Sequence, residues 1–362
     1  MFRSIIITIL TSIVLSQATY GQRSGHEQII KGVYGSPQSI WDAGYELRDL
    51  GINAIFVRST SLDSSIIIRA RHEDQRIFVE FPTLNGKNYV NKHPEAWAIN
   101  EQGQKVQAAS WFMGVCPTDP AFRRYRFDQL DNLLSKYAVD GIWMDYVHWH
   151  AQFEERRPIL PETCFCEHCR SAFSRDKGIE LPPGDLTTQA SWILSIKDSL
   201  WRQWRCEVIV DWVQEIRAIM DQYNPEMLLG MYHCPWTDDE FNGARQRILG
   251  LDYNLLSATI DVFSPMVYHG RMERNPTWVA DHVQWICDRL RTTAGNSPKV
   301  WPIVQASDQP HIVSAKEFRQ VLKAGLSKCA SGVMMFTGRS VVQAEQKIRV
   351  LREVYLSSGS DE

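Results

Sequence analysis

Asp145 closes the apolar run Asp140-Gly-Ile-Trp-Met-Asp145, and Tyr146, His148, Trp149 and His150 follow it directly. A carboxylate at the end of a buried strand is costly unless it has a partner or a task. Ringed by flat aromatic faces and imidazoles, it could bind a sugar and move a proton. A little further on stands Cys164-Phe-Cys166-Glu-His-Cys169. Disulfides within so tight a spacing are strained, so three thiolates converging on one metal is the easier reading. Disulfides remain the alternative in an oxidising compartment. Zinc takes four sulfur or nitrogen ligands, and Cys116 can supply the fourth, with His150 or His168 as substitutes. Four sulfurs leave no open position, so such a zinc would brace its loop and not activate water. Cys206, Cys234, Cys287 and Cys329 are spread over the rest of the chain and are expected as buried free thiols.

These groups need a frame. Short β-branched or aromatic runs cover 29–34, 52–58, 76–81, 139–146, 227–233, 262–268, 299–305 and 332–336. Helical spacing separates them, over 41–50, 122–134, much of 187–223, 278–290 and 315–326. Asp119-Pro120 opens the second of these as cap and first-turn proline. Strands apolar on both faces, alternating with helices, predict a parallel sheet covered on both sides. Eight such units predict a single-domain α/β fold, a (β/α)8 TIM barrel with an extended loop after strand 4. An open doubly wound sheet is the runner-up, but Val33-Tyr34-Gly35-Ser36-Pro37 is not its Gly-x-Gly-x-x-Gly turn.

Barrel sites lie at the C-terminal strand ends. That rim collects Tyr34, Arg58, Glu80, Asp145, Tyr146 and His148 from the first four strands. Strand 5 adds His233, Trp236 and the acidic run Asp238-Asp239-Glu240. Tyr268 and His269 follow strand 6, and Gln305 and Asp308 follow strand 7. Cleaving a glycosidic bond takes two carboxyl groups, one to protonate the leaving oxygen and one to attack or to activate water. Asp145 is expected as nucleophile or base and Glu240 as acid, with Glu80 in reserve. The remaining rim side chains, Asp308 included, would bind substrate. Asp140, at the other end of the strand, is structural. Two other classes stay open: a non-catalytic carbohydrate-binding barrel, and a metal-dependent hydrolase using His148 and His150, which share a face of an extended segment.

Three stretches resemble a group of bacterial barrel proteins classed as glycosyl hydrolases. They are Val139-Asp-Gly-Ile-Trp-Met-Asp145-Tyr-Val-His148-Trp, the segment Pro235-Trp236 to Glu240-Phe241 with Ile248-Leu-Gly250, and Asp261-Val-Phe-Ser-Pro-Met-Val-Tyr268-His269. The resemblance spans roughly 115–305 and implies a barrel that hydrolyses glycosidic bonds. By placement the acids are also similar to those of the α-amylase-type clan. That likeness implies Asp145 as nucleophile, Glu240 as acid/base and Asp308 as stabiliser, although Trp143 stands where the clan carries arginine and strand 7 lacks its His-Asp pair. Cys116, Cys164, Cys166 and Cys169 resemble the structural zinc site of some family forty-two β-galactosidases, whose strand-4 Asn-Glu signature is missing here.

Met1-Phe-Arg3 followed by an apolar stretch over 5–15 and Ser16-Gln17-Ala18 has the form of a secretory signal peptide, taken as 1–21. It falls short of the roughly 20 apolar residues that span a bilayer. Cleavage after Ala18 or after Gly21 would leave the barrel as 22–362, in the periplasm or outside the cell. No cysteine follows the apolar stretch, which argues against a lipoprotein. A formal net charge of -3 argues against nucleic acid or an anionic membrane as partner. Thirteen Trp and 12 Tyr supply faces that pack on sugar rings, although most such rings belong to a core. The expected partner is an oligosaccharide, polysaccharide or glycoside, with structural zinc and no organic cofactor.

Overall fold

The computed structural model describes residues 28–109, 111–154, 157–291 and 297–357. The predicted signal peptide lies outside them. Eight parallel strands form a closed ring: β1 Ile30–Tyr34, β2 Ala54–Arg58, β3 Arg76–Pro82, β4 Gly141–Asp145, β5 Leu228–His233, β6 Val262–Val267, β7 in two pieces (Lys299–Val300 and Ile303–Gln305), and β8 Gly332–Phe336. Each pairs with the next, and β8 returns to β1. The break in β7 falls at Trp301-Pro302, where proline offers no N–H to the ladder.

Helices cover the outside. Asp119 caps Pro120–Leu134 by accepting from the Phe122 N–H at 2.7 Å. The helix predicted over 41–50 is instead Gln38–Asp42 and a 3₁₀ turn, Arg48–Leu50, because Gly44 turns the chain at a φ of 82°. The long stretch over 187–223 divides at Lys197 into Leu186–Ile196 and Asp198–Tyr223. Among the described residues no helix is long and apolar enough to cross a membrane.

Aromatic rings fill the barrel. Trp143 lies parallel to Trp301 with centroids 5.3 Å apart, and Phe78 and Phe56 close around it at 4.6 and 5.0 Å. Its Nε1 donates to Ser264 Oγ at 3.0 Å. A Cβ on Gly230 would stand 2.1 Å from the Trp143 ring, so β5 must carry glycine there. Trp143 is thus the packed centre of the barrel and no part of its rim. Asp140 sits at the opposite end of β4, bonded to Arg71 at 2.7 Å and to the Ile77 N–H at 2.6 Å.

One cysteine expectation is corrected. Cys287, on the helix Trp278–Arg291, and Cys329, just before β8, form a disulfide with Cα atoms 5.9 Å apart. Their separation of 42 residues hid a contact made only when the helix packs beside the barrel. Cys206 and Cys234 are buried free thiols.

Candidate active site

The C-terminal strand ends enclose a cavity of about 580 Å³. Strand register explains what reaches it. Arg58 lies level with Glu80, and Tyr34 with Phe336, so adjacent strands present their last residues as one layer. Tyr34, Arg58 and Asp145 line the cavity together with Tyr146, Tyr232, Tyr268 and Phe336. Loops complete it with Trp111, Glu154, Arg271, Glu273 and the segment Gln309, Pro310 and His311. Trp111 is 46% exposed, a ring set at the mouth and not in the core.

Asp145 accepts one hydrogen bond, from the Tyr146 N–H at 2.8 Å. Tyr146 makes this possible by adopting a φ of 54°, a left-handed conformation that costs a non-glycine residue on the order of 1 kcal/mol. Phe112 stacks on Tyr146 with centroids 4.9 Å apart and holds that ring in place. Burial pushes the Asp145 carboxyl well above the usual carboxylate range, and the negative charges of Glu80 and Glu154 push it further. The Tyr146 N–H and Arg58 pull only part of the way back.

Glu80 stands behind the wall. It accepts the Tyr34 hydroxyl at 2.6 Å, and the Arg58 Nε lies 3.1 Å from that hydroxyl and 3.3 Å from Glu80. Burial raises the Glu80 carboxyl while these two partners lower it. Tyr34 keeps its proton, its phenol pushed up by burial and by Glu80. Glu154, from the loop after β4, is ion-paired with Arg271 from the loop after β6. Arg271 lies over Tyr268 at 5.0 Å, and its N–H donates to Gln305 at 3.0 Å. Gln305 donates in turn to the carbonyls of Ser307 and Gln309, both at 3.0 Å, and so fixes the loop that carries His311. The buried Tyr232 hydroxyl has no hydrogen-bond partner among the described residues, which costs about 1–3 kcal/mol unless a ligand supplies one.

Several sequence candidates fall elsewhere. Glu240 does not line the cavity. Its carboxylate accepts from the Thr237 N–H at 2.8 Å and pairs with Arg274 at 2.8 Å, beside Trp236 and Phe241 in a separate small cleft. Asp308 pairs with Lys347 at 2.7 Å and accepts the Val313 N–H at 2.8 Å, which staples its loop. His233 is buried against Tyr253, whose hydroxyl lies 2.8 Å from its Nδ1. Burial lowers it to about 3, so it stays neutral. His269 is also buried. His148 and His150 are both lowered to about 4 by burial. The His148 Nδ1 meets the Trp149 carbonyl at 2.7 Å, and the His150 Nδ1 accepts the Gly114 N–H at 3.1 Å. Neither lines the cavity, and among the described residues they form no metal-binding group with Asp145.

The cysteines do converge. The sulfurs of Cys116, Cys164, Cys166 and Cys169 all lie within 4.8 Å of one another and could hold a metal ion. Cys116 Sγ stands 3.3 Å from Cys166 and 3.4 Å from Cys169. Four sulfurs at about 2.3 Å from a zinc would stand roughly 3.8 Å apart, so a few tenths of an ångström of relaxation seats the ion. The Ile99 N–H donates to Cys164 Sγ at 3.3 Å, support of the kind a thiolate ligand takes. The cluster ties the loop after β3 to the loop after β4, and Glu162 ties the second loop to Arg202 and Arg247 at 2.8 and 2.9 Å.

Glu154, Arg271, Glu273, Trp111 and Tyr232 were not expected at the site from sequence. Glu154 stands in Glu154-Glu-Arg-Arg, which reads as a solvated charge run, and Arg271 closely follows the noticed Tyr268-His269.

No protein-family model matches the chain, and a comparison with curated proteins found no match. Solved structures do match. The PgaB (BpsB) glycoside hydrolase domain from Bordetella bronchiseptica superposes with a TM-score of 0.65 at 12% identity, over 91% of this chain and 100% of that one. A β-galactosidase from the haloarchaeon Halorubrum lacusprofundi gives 0.66 at 13% identity, over 91% and 58%. An α-L-fucosidase from Paenibacillus thiaminolyticus gives 0.58 at 12%, over 91% and 49%. The chain spans a little over half the length of that β-galactosidase and about half of that fucosidase. At these identities the likeness is one of fold, the closed eight-stranded parallel barrel.

Proposed function

We propose that this protein is a secreted glycoside hydrolase whose reaction centre is the cavity at the β-strand ends. One observation carries the reading: Asp145, whose carboxyl is pushed well above the usual range by burial and by neighbouring carboxylates, shares an aromatic cavity with Glu154, which is ion-paired. Two carboxyl groups in different electrostatic states are what the two roles of glycoside hydrolysis require. Asp145 would protonate the leaving oxygen, and Glu154 would attack or activate water on the other face of the sugar. This reverses the role first expected for Asp145 and replaces Glu240, whose oxygens are engaged by the Thr237 N–H of its own loop and by Arg274 of the loop after β6. Tyr34, Tyr146, Tyr268 and Trp111 would pack on sugar rings. The fold shared with a glycoside hydrolase domain, a β-galactosidase and a fucosidase agrees with the class.

The four cysteines would hold zinc, which supplies a fixed tetrahedral tie between the loops and no chemistry at the sugar. Export is supported by the signal-like start and by the Cys287–Cys329 disulfide, a bond typical of oxidising compartments.

The test is a panel of aryl glycosides and polysaccharides with the wild-type chain, Asp145→Asn and Glu154→Gln. Hydrolysis of at least one member, lost in both folded variants, is the expected outcome. Sugar binding without turnover anywhere in the panel would instead favour a carbohydrate-binding barrel.

A further inference from the structure

The polar groups of the cavity divide unevenly between donors and acceptors. Arg58 spends its Nε on Tyr34 and Glu80, and this clamps the guanidinium. Its two Nη nitrogens make no hydrogen bond among the described residues, and its side chain remains 57% exposed while lining the cavity. The Glu80 carboxylate and the hydrogen bond to the Tyr34 hydroxyl hold it firmly charged. The Tyr232 hydroxyl, buried in the same cavity wall, is a second polar group without a partner. Burial disfavours the charge on Asp145, and the Glu154 charge is matched by Arg271. Glu273 also lines the cavity as an exposed carboxylate, but the Nη edge of Arg58 makes no hydrogen bond to it or to any other described residue.

Sugar hydroxyls donate as readily as they accept. A carboxylate only accepts, through two oxygens spaced to meet the planar edge of an arginine. We infer that the substrate is an acidic sugar, a uronic acid or a related carboxylated residue, whose carboxylate is read by the Nη edge of Arg58 with the Tyr232 hydroxyl as a further donor. The inference rests on the cavity being the sugar site. It makes Arg58 the specificity-determining residue. It also suits the acid role of Asp145, because a substrate anion nearby favours the protonated form.

The experiment measures binding of D-glucuronate and D-galacturonate, each against its neutral counterpart D-glucose or D-galactose, to the full chain by calorimetry. At least one acid should bind roughly ten- to a hundredfold tighter than its neutral partner. Arg58→Gln should abolish that preference. Arg58→Lys, which keeps the charge but not the fork, should retain a part of it. Tyr232→Phe should weaken the acid severalfold. Circular dichroism of each variant separates lost recognition from lost fold. Equal or weaker binding of both acids by the wild type overturns the inference, as does a preference that survives Arg58→Gln. The outcome is separable from the hydrolase reading. A preference for acid without hydrolysis of any uronide sinks the hydrolase and leaves the acid site standing. Asp145-dependent hydrolysis of neutral glycosides alone does the reverse.

Discussion

Asp145 ends a barrel strand and Glu240 follows one, and the sequence reading pairs them as the catalytic carboxyls, Asp145 as the stronger candidate. In the structure they differ in how their oxygens are engaged. Glu240 accepts the Thr237 N–H and pairs with Arg274, so its own surroundings satisfy it. Asp145 accepts, among the described residues, one N–H, from the next residue, and feels the charges of Glu154, which lines the same cavity, and of Glu80 behind its wall. A carboxylate completed by its neighbours ties two loops together. One left incomplete, with its charge disfavoured, is free to exchange a proton with something not yet there.

The largest effect that follows is on turnover. Asp145→Asn keeps shape and loses the proton, and kcat should fall by roughly 10³. Glu240→Gln should leave kcat within about threefold of wild type, the change expected away from the chemistry. Steady-state kinetics on whichever glycoside the panel identifies decides it. A collapse of activity in folded Glu240→Gln would return that residue to the reaction and break the comparison.

Metal removal comes next. The cysteine cluster braces the loop that carries Glu154, whereas Glu240 hangs on a different loop. Stripping zinc with a chelator should therefore cost roughly a hundredfold in kcat through displacement of Glu154, with restoration on adding zinc back. Elemental analysis should find about one zinc per chain. A chelated protein free of zinc and fully active would show that the brace does not reach the site.

The pH profile is a finer probe. Asp145 acts as an acid only while protonated, so kcat/KM should fall as pH rises through its raised pKa. The Glu80 charge is one cause of that elevation. Glu80→Gln removes it, so the alkaline limb should move to lower pH while kcat changes modestly. Glu240→Gln should leave the limb in place. If Glu80→Gln instead abolishes turnover with the fold intact, Glu80 is the partner acid and not a residue that tunes Asp145.

How much of this was legible beforehand depends on the range of the information. The strands could be read because runs apolar on both faces leave few alternatives, and only Pro302 divides one of them. The cysteine convergence could be read because three of the four thiols share one short segment. Glu154 could not be read: it lies in a loop, where no periodicity marks the inward face, and its role depends on an arginine from the loop two strands further round the barrel. The Cys287–Cys329 bond was hidden for the same reason, since it joins a helix to a strand approach that only packing brings together. His233 misled in the opposite way. It stands at a strand end as a rim residue would, but Tyr253 and Phe263 cover it.

The smallest effect is on stability, and there the two acids should respond with opposite sign. The folded-state pKa of Asp145 lies above its unfolded value. Between those two pKa values the native state holds the extra proton, so stability falls as pH rises through that window. Asn cannot ionise, and Asp145→Asn should melt a few degrees above wild type at neutral pH. The gain should vanish below about pH 3, where the unfolded carboxyl, with a pKa of about 3.9, is itself protonated. Glu240→Gln weakens an ion pair and should melt at or slightly below wild type at neutral pH. Thermal unfolding of the three proteins at both pH values measures the contrast. An Asp145→Asn variant no more stable than wild type at neutral pH would mean that the cavity does not hold this carboxyl against its charge, and the proton-donor role would lose its physical basis.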